Sequence, residues 1–197
     1  MKKTGAAVAA VLALVLLVAW PSAMDACVGK TLYLGRLPGM EQEILSEIFV
    51  WLVSERTGTS IEVKSFSDTR TTHSALEKAK IDLYLEEPAV AFREILESPV
   101  PGGDDARKVV RREYEEKFNL IWLEPWGLQG PDAQGAASRI APVVRRDTLK
   151  KFPALGRLVN KMAGVVDDDA MDRLLAESSS RPVREVTKKF LKEKKLI

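Results

Sequence analysis

Between Lys30 and Pro88 the spacing of apolar residues changes period several times, and each change marks an element. Residues 31–34 form a short apolar run that breaks at Gly35. From Met40 onward, apolar side chains recur at Ile44, Leu45, Ile48, Phe49, Leu52 and Val53, the spacing of one helical face. Thr57-Gly58 ends that helix, because Gly58 takes a left-handed cap at no steric cost. Residues 60–65 set Ile61 and Val63 against Glu62 and Lys64, the two-residue period of a strand with one wetter face. Asp68 or Thr69 caps a second helix, and residues 81–85 are a third strand. Strands separated by helices predict a parallel sheet with right-handed crossovers.

The pattern continues beyond Pro88. A short amphipathic helix over 89–97 stops at Ser98-Pro99, and 100–103 is a turn. A helix from Asp104 through Val110, Tyr114 and Lys117 leads to a fourth strand, 119–124, closed by Pro125. Residues 127–138 are rich in Gly, Ala and Gln with no apolar period, which reads as a linker. Asp147 opens a helical pattern that Pro153 splits and Gly164 ends. Asp167 caps the next helix, and Pro182 stands at the start of a last one carrying Val183, Val186, Phe190 and Leu191.

The first 26 residues are not part of this pattern. Lys2-Lys3 precede an unbroken apolar run over 6–19, the layout of a signal peptide or an N-terminal membrane anchor. About 170 residues remain, one domain's worth. Cys27 is the only cysteine, so no intramolecular disulfide forms. It follows Met24-Asp25-Ala26, a loose lipobox. A lipidated Cys27 and a plain thiol at the N-terminus both fit, and either way the protein is read as exported.

A net charge of +2 with acids and bases interspersed gives no nucleic-acid surface. The lysines over 188–195 read as a solvated helix end, where cations are favoured by the dipole. With His73 as the only histidine, neither a His-based triad nor a multi-histidine metal site can be built. Asp167-Asp168-Asp169 suit a helix N-terminus, and Glu86-Glu87, being adjacent at a strand end, point apart. No phosphate loop or nucleophile elbow is present. No enzyme and no cofactor are expected.

Four longer segments carry a resemblance. GRLPGMEQEILSEI, then a strand, then DTRTTHSALEKAKIDLYLEEP, resembles the opening of the glycine betaine/choline-binding proteins of ABC importers. Glu41-Gln42-Glu43-Ile44-Leu45 and Asp82-Leu83-Tyr84 match the family's first-loop and third-strand patterns. REYEEKFNLIWLEPWG and APVVRRDTLKKFPALGRLVNKMAG resemble its later parts, in the same order. The resemblance implies a type II periplasmic binding protein, an α/β fold with a mostly parallel sheet of four to five strands flanked by helices. In that family the chain crosses after the Trp-Gly equivalent of Trp126-Gly127 into a second lobe and later returns. Here Ile140 follows almost at once. The implied organisation is one lobe: 30–126 as its first part, 127–139 as a linker replacing the second lobe, and 140–197 returning to it.

The family grips a quaternary ammonium in an aromatic cage and its carboxylate with cationic or amide donors. Its cage tyrosine and the following threonine fall on Glu87 and Pro88, and its loop lysine falls at or beside Leu37, with Arg36 next to it. Ligands approach the carboxyl ends of strands in such sheets, which adds Tyr84 and Trp126, whereas Trp51 and Trp122 read as core. The expected solute site is therefore Arg36, Tyr84, Glu87 and Trp126. The partners implied are a small zwitterionic or quaternary ammonium solute and a membrane permease subunit. A non-transport interaction module, whose open face with an exposed Trp126 docks a second copy or another protein, is the alternative.

Overall fold

A computed structural model describes residues 30–102, 105–128 and 139–197. The signal segment, Cys27 and residues 129–138 of the linker lie outside the described residues. In order the elements are β1 (Thr31–Arg36), α1 (Met40–Thr57), β2 (Ser60–Ser65), α2 (Thr69–Glu77), β3 (Leu83–Glu86), α3 (Pro88–Glu94), α4 (Asp105–Phe118) and β4 (Leu120–Trp122). There follow β5 (Ala141–Arg145), α5 (Arg146–Lys151), α6 (Leu155–Val159), a 3-10 turn at Asn160–Met162, α7 (Asp168–Ser178) and α8 (Val183–Glu193).

The helix boundaries obey local chemistry. Gly58 has φ 67°, the left-handed cap that ends α1. Asp68 and Asp167 each accept a hydrogen bond, at 2.8 Å, from the Thr71 and Ala170 backbone N–H groups, capping α2 and α7. Pro153 falls in the break between α5 and α6, as its missing N–H requires.

The five strands lie in the order β2-β1-β3-β5-β4. β2, β1 and β3 pair in parallel, as the alternation of strands and helices predicts. β5 is the difference. The segment read from sequence only as a return to the lobe is a strand, inserted between β3 and β4 and antiparallel to both. Pro142 fits there because its lost donor faces the end of the short β4. Its carbonyl still accepts from Leu123 N–H at 2.8 Å, and the ladder ends at that pair.

Beside the β5 ladder, polar contacts at both ends of the sheet bind the returning segment to the first part. Asp82, buried just before β3, accepts from Tyr33 N–H (2.9 Å), the Thr148 hydroxyl (2.8 Å) and the Arg145 guanidinium (3.2 Å). At the other end, Trp126 N–H donates to Ile140 C=O (3.1 Å) and Ile140 N–H to Leu128 C=O (3.0 Å). The chain thus leaves the sheet and re-enters it at adjacent points.

Side chains alternate across the sheet. Leu32, Leu34, Leu83, Leu85 and Val144 face one way, into a core completed by α1, α6, α7 and α8. Tyr84, Trp122 and Val143 face the other way, under α2, α3 and α4. Gly35 lets α2 settle closely on that second face: a Cβ there would lie 2.5 Å from Ile81 Cδ1 and 3.0 Å from Thr72 Cγ2.

Candidate functional site

The four candidate residues come from the same end of the sheet. Arg36 ends β1, Tyr84 lies in β3 opposite Gly35, Glu87 follows β3, and Trp126 follows β4. Those are the carboxyl ends of three strands that run in one direction, where an α/β sheet presents its ligand edge. The side chains, however, do not converge on one surface.

Arg36 borders a hollow. Its guanidinium donates to the Ser65 hydroxyl at 3.1 Å. It lines a shallow depression of about 410 Å³ with the Leu37–Met40 loop, Glu43 and Phe66. A second depression, lined by Leu37, Pro38, Asp68, Thr69, Arg70 and Glu94, adjoins it across the same loop. Arg70 is held by Glu94 at 3.0 Å, so its charge is already matched. Glu87 stands at the N-terminus of α3 with its side chain buried.

Trp126 corrects the expectation of an exposed aromatic. It is 0% exposed and belongs to the α1-side core. The reason is local. Gly127, at φ 121°, turns the chain, and Trp126 C=O accepts from Val166 N–H at 2.9 Å, pinning the segment against the loop before α7. A Cβ on Gly127 would lie 3.0 Å from Val166 O, so this approach requires glycine. Tyr84 is also fully buried, on the opposite face from Trp126. Trp122 is core, as read. Trp51 is only half buried: its indole N–H donates to Arg184 C=O at 3.0 Å, and Lys188 Nζ sits 3.8 Å from its ring. Among the described residues, Met40 is the exposed large hydrophobic, 48% accessible, at the mouth of the Arg36 depression.

Beneath this edge lies a polar cluster that sequence reading passed over. Glu86, 1% exposed, points into the α2–α4 layer, where its Oε2 meets the hydroxyls of Tyr84 and Tyr114, the latter at 3.1 Å. His73 Nδ1 is 3.3 Å from the Tyr84 hydroxyl, and its Nε2 is 3.9 Å from Glu77 Oε2. The imidazole stacks edge-on against Tyr114 and Phe118. Burial pushes the Glu86 carboxyl up to about 8, against the opposing effect of the two hydroxyls. Burial also pushes His73 down to about 4 and raises Tyr84 well above the usual phenol range. A signal for Tyr114 was present in the spacing Ala106, Val110, Tyr114, which puts it on the buried stripe of α4.

The architecture defines one class. An α/β lobe with an antiparallel strand returning between β3 and β4 has the fold of a type II periplasmic binding protein. It superimposes with a TM-score of 0.76, at 12% identity, on a structure described as a glycine betaine/carnitine/choline ABC transporter, covering 85% of this chain and 98% of that one. Apo YehZ from Escherichia coli gives 0.75, also at 12%, with 85% and 99% covered.

The sequence comparisons narrow the class. Residues 128–193 match the family model described as the substrate-binding domain of an ABC-type glycine betaine transport system. The carnitine transport binding protein OpuCC of Listeria monocytogenes is 25% identical over 153 residues, 73% of this chain and 46% of that protein. The ergothioneine transport permease/ergothioneine binding protein EgtU of Helicobacter pylori is 31% identical over 108 residues, 53% of this chain and 19% of that protein. The chain therefore spans less than half the length of either relative. The resemblance read from the sequence holds: this protein is similar to the substrate-binding proteins of glycine-betaine-type ABC transport systems. Among the described residues, no helix is long and apolar enough to cross a membrane.

Proposed function

We propose that this protein is an exported solute-binding component of an ABC importer for betaine- or carnitine-like solutes, acting outside the membrane with a permease subunit. The observation that carries this reading is the agreement of two kinds of likeness. The returning segment matches the substrate-binding family model, and the whole lobe superimposes on binding-protein structures. Either its periplasm or the outer face of the membrane is its place.

Residues 127–139 stand, in this reading, where the relatives carry their second lobe. The adjacency of Trp126, Leu128 and Ile140 supports it, because a lobe can be removed from such a point without moving the sheet. A solute would meet the strand edge from the side of the Arg36 depression. Arg36 would pair with its carboxylate, and Glu87 would favour its cation from below. Tyr84 and Trp126, both buried, would hold the edge rather than cage the solute.

The test is a calorimetric titration of the full-length chain with glycine betaine, choline, carnitine and proline, alongside sedimentation of the same sample. A saturable heat, weakened in Arg36→Gln, is the expected result. No heat with any solute overturns the reading. If the sample also sediments as a dimer, the interaction module takes its place.

A further inference from the structure

The donors and acceptors around Glu86 can be arranged in two ways. If Glu86 is ionised, Tyr84 and Tyr114 both donate to it and His73 Nδ1–H donates to the Tyr84 oxygen. The bare His73 Nε2 lone pair then faces the Glu77 carboxylate at 3.9 Å. A carboxylate 1% exposed is left with two hydroxyl donors, and its Oε1 has no hydrogen-bond partner. Both features are costly in a medium that excludes water.

If Glu86 is the neutral acid, the same atoms form one row, whose last step, from His73 Nε2 to Glu77 Oε2, spans 3.9 Å. Glu86 Oε2–H donates to the Tyr84 oxygen, Tyr84 O–H to His73 Nδ1, and His73 Nε2–H points to Glu77. Tyr114 O–H still donates to Glu86. The carboxyl and both phenol protons now have acceptors, and Oε1 is left as a neutral carbonyl oxygen; the His73 Nε2–H, 3.9 Å from Glu77 Oε2, is the one donor of the row without a hydrogen bond. His73 Nε2 is itself shut off from water, whereas the Glu77 side chain is 43% exposed, so Glu77 is the outlet of the row.

We propose that Glu86 stores a proton inside this lobe, and that the row Glu86–Tyr84–His73–Glu77 carries it to solvent as the surroundings become alkaline. In the discharge, Glu86 passes its proton to the Tyr84 oxygen, the former Tyr84 proton moves to His73 Nδ1, and the His73 Nε2 proton leaves through Glu77. The net change is one proton released and one negative charge created behind the strand edge.

The groups that face Glu86 are Tyr84 on its own strand, His73 and Glu77 from α2, and Tyr114 from α4, with Glu87 next in the chain at the start of α3. Its hydrogen-bond partners are hydroxyls and not cations. The inference is built on this row and holds whether or not a solute occupies the edge above it.

Carbon-13 NMR of the full-length chain, labelled at glutamate carboxyls, tests the proposal. One resonance is expected to titrate near about 8, displaced from all the others, and to vanish in Glu86→Gln. Glutamate resonances that all titrate in the ordinary carboxylate range would overturn it. The outlet is read in Glu77→Leu, at a half-exposed position. There the Glu86 signal should pass from one averaged line to two slowly exchanging lines. An averaged line unchanged in that variant would show that protons reach Glu86 by another way, and the row would fall.

Discussion

Two helical layers cover the sheet, and they treat polar groups differently. Beneath α1, α6, α7 and α8 a large cluster is aliphatic and aromatic, and the buried polar atoms on those helices, Ser46 Oγ, Glu47 Oε2 and Ser178 Oγ, are scattered and unpartnered, as is Trp126 Nε1. Beneath α2, α3 and α4, at equal depth, lie a carboxyl group, two phenols and an imidazole in mutual contact. The first layer is held mainly by apolar area and shape. The second is held partly by a hydrogen-bond pattern whose arrangement changes with the protonation state of Glu86. One sheet therefore carries a mainly apolar face and a face with a cluster of titratable groups.

The largest effect expected is on the first face. Trp126→Ala empties a fully buried site and should cost about 3–5 kcal/mol in denaturant unfolding, equally at pH 6 and pH 8. A pH-dependent loss would break the contrast.

Next comes the second face. Folded Glu86 keeps its proton to about 8, whereas the unfolded chain releases it in the usual carboxylate range, so stability falls as pH rises between the two. Folded His73 stays neutral down to about 4, whereas the unfolded imidazole charges below about 6.5, so stability falls as pH drops through that window. The two slopes oppose each other between roughly pH 4.5 and 6.5 and leave a plateau. From about pH 6.5 to 8 only the Glu86 slope remains, and the wild-type chain should lose on the order of 2 kcal/mol. Glu86→Gln should remove that decline while retaining the loss on the acid side, as followed by thermal unfolding across the range.

Smaller again is Gly35→Ala, whose methyl group would press α2 away from the sheet. We expect a loss of about 1–2 kcal/mol, together with a weaker pH dependence as His73 shifts on α2. Smallest is Asp167→Ala, which removes the α7 cap on the dry face. It should cost about 1 kcal/mol with no change in slope between pH 6 and 8.

Much of this fold was legible because its signals are local. The period of Ile44 to Val53, the Gly58 cap and the Asp68 and Asp167 caps each lie within a few residues of what they specify. β5 was not, because a run such as Ala-Pro-Val-Val fits several settings and its partners lie about sixty residues earlier in β3. Pro142 argues against a central strand unless the end of β4 is known. The site was legible as a sheet edge: strand order put Arg36, Tyr84, Glu87 and Trp126 at one end. It was not legible as a surface, since whether Trp126 faces in or out depends on the contact of Gly127 with Val166. The Glu86 cluster was hidden for a similar reason. Adjacent glutamates look like a solvated strand end until α4 brings Tyr114 over one of them.

The backbone bonds joining Trp126 and Leu128 to Ile140 also bear on how such proteins change size. They act as a clasp: whatever lies between them begins and finishes at one point of the sheet. Doubling the length of a flexible insert there adds only about 0.6 kcal/mol of closure entropy. A dozen residues and an independently folding unit are then nearly interchangeable loads on the same hinge. The strain of a longer insert at this position would therefore fall on the clasp and leave the register of β5 in place.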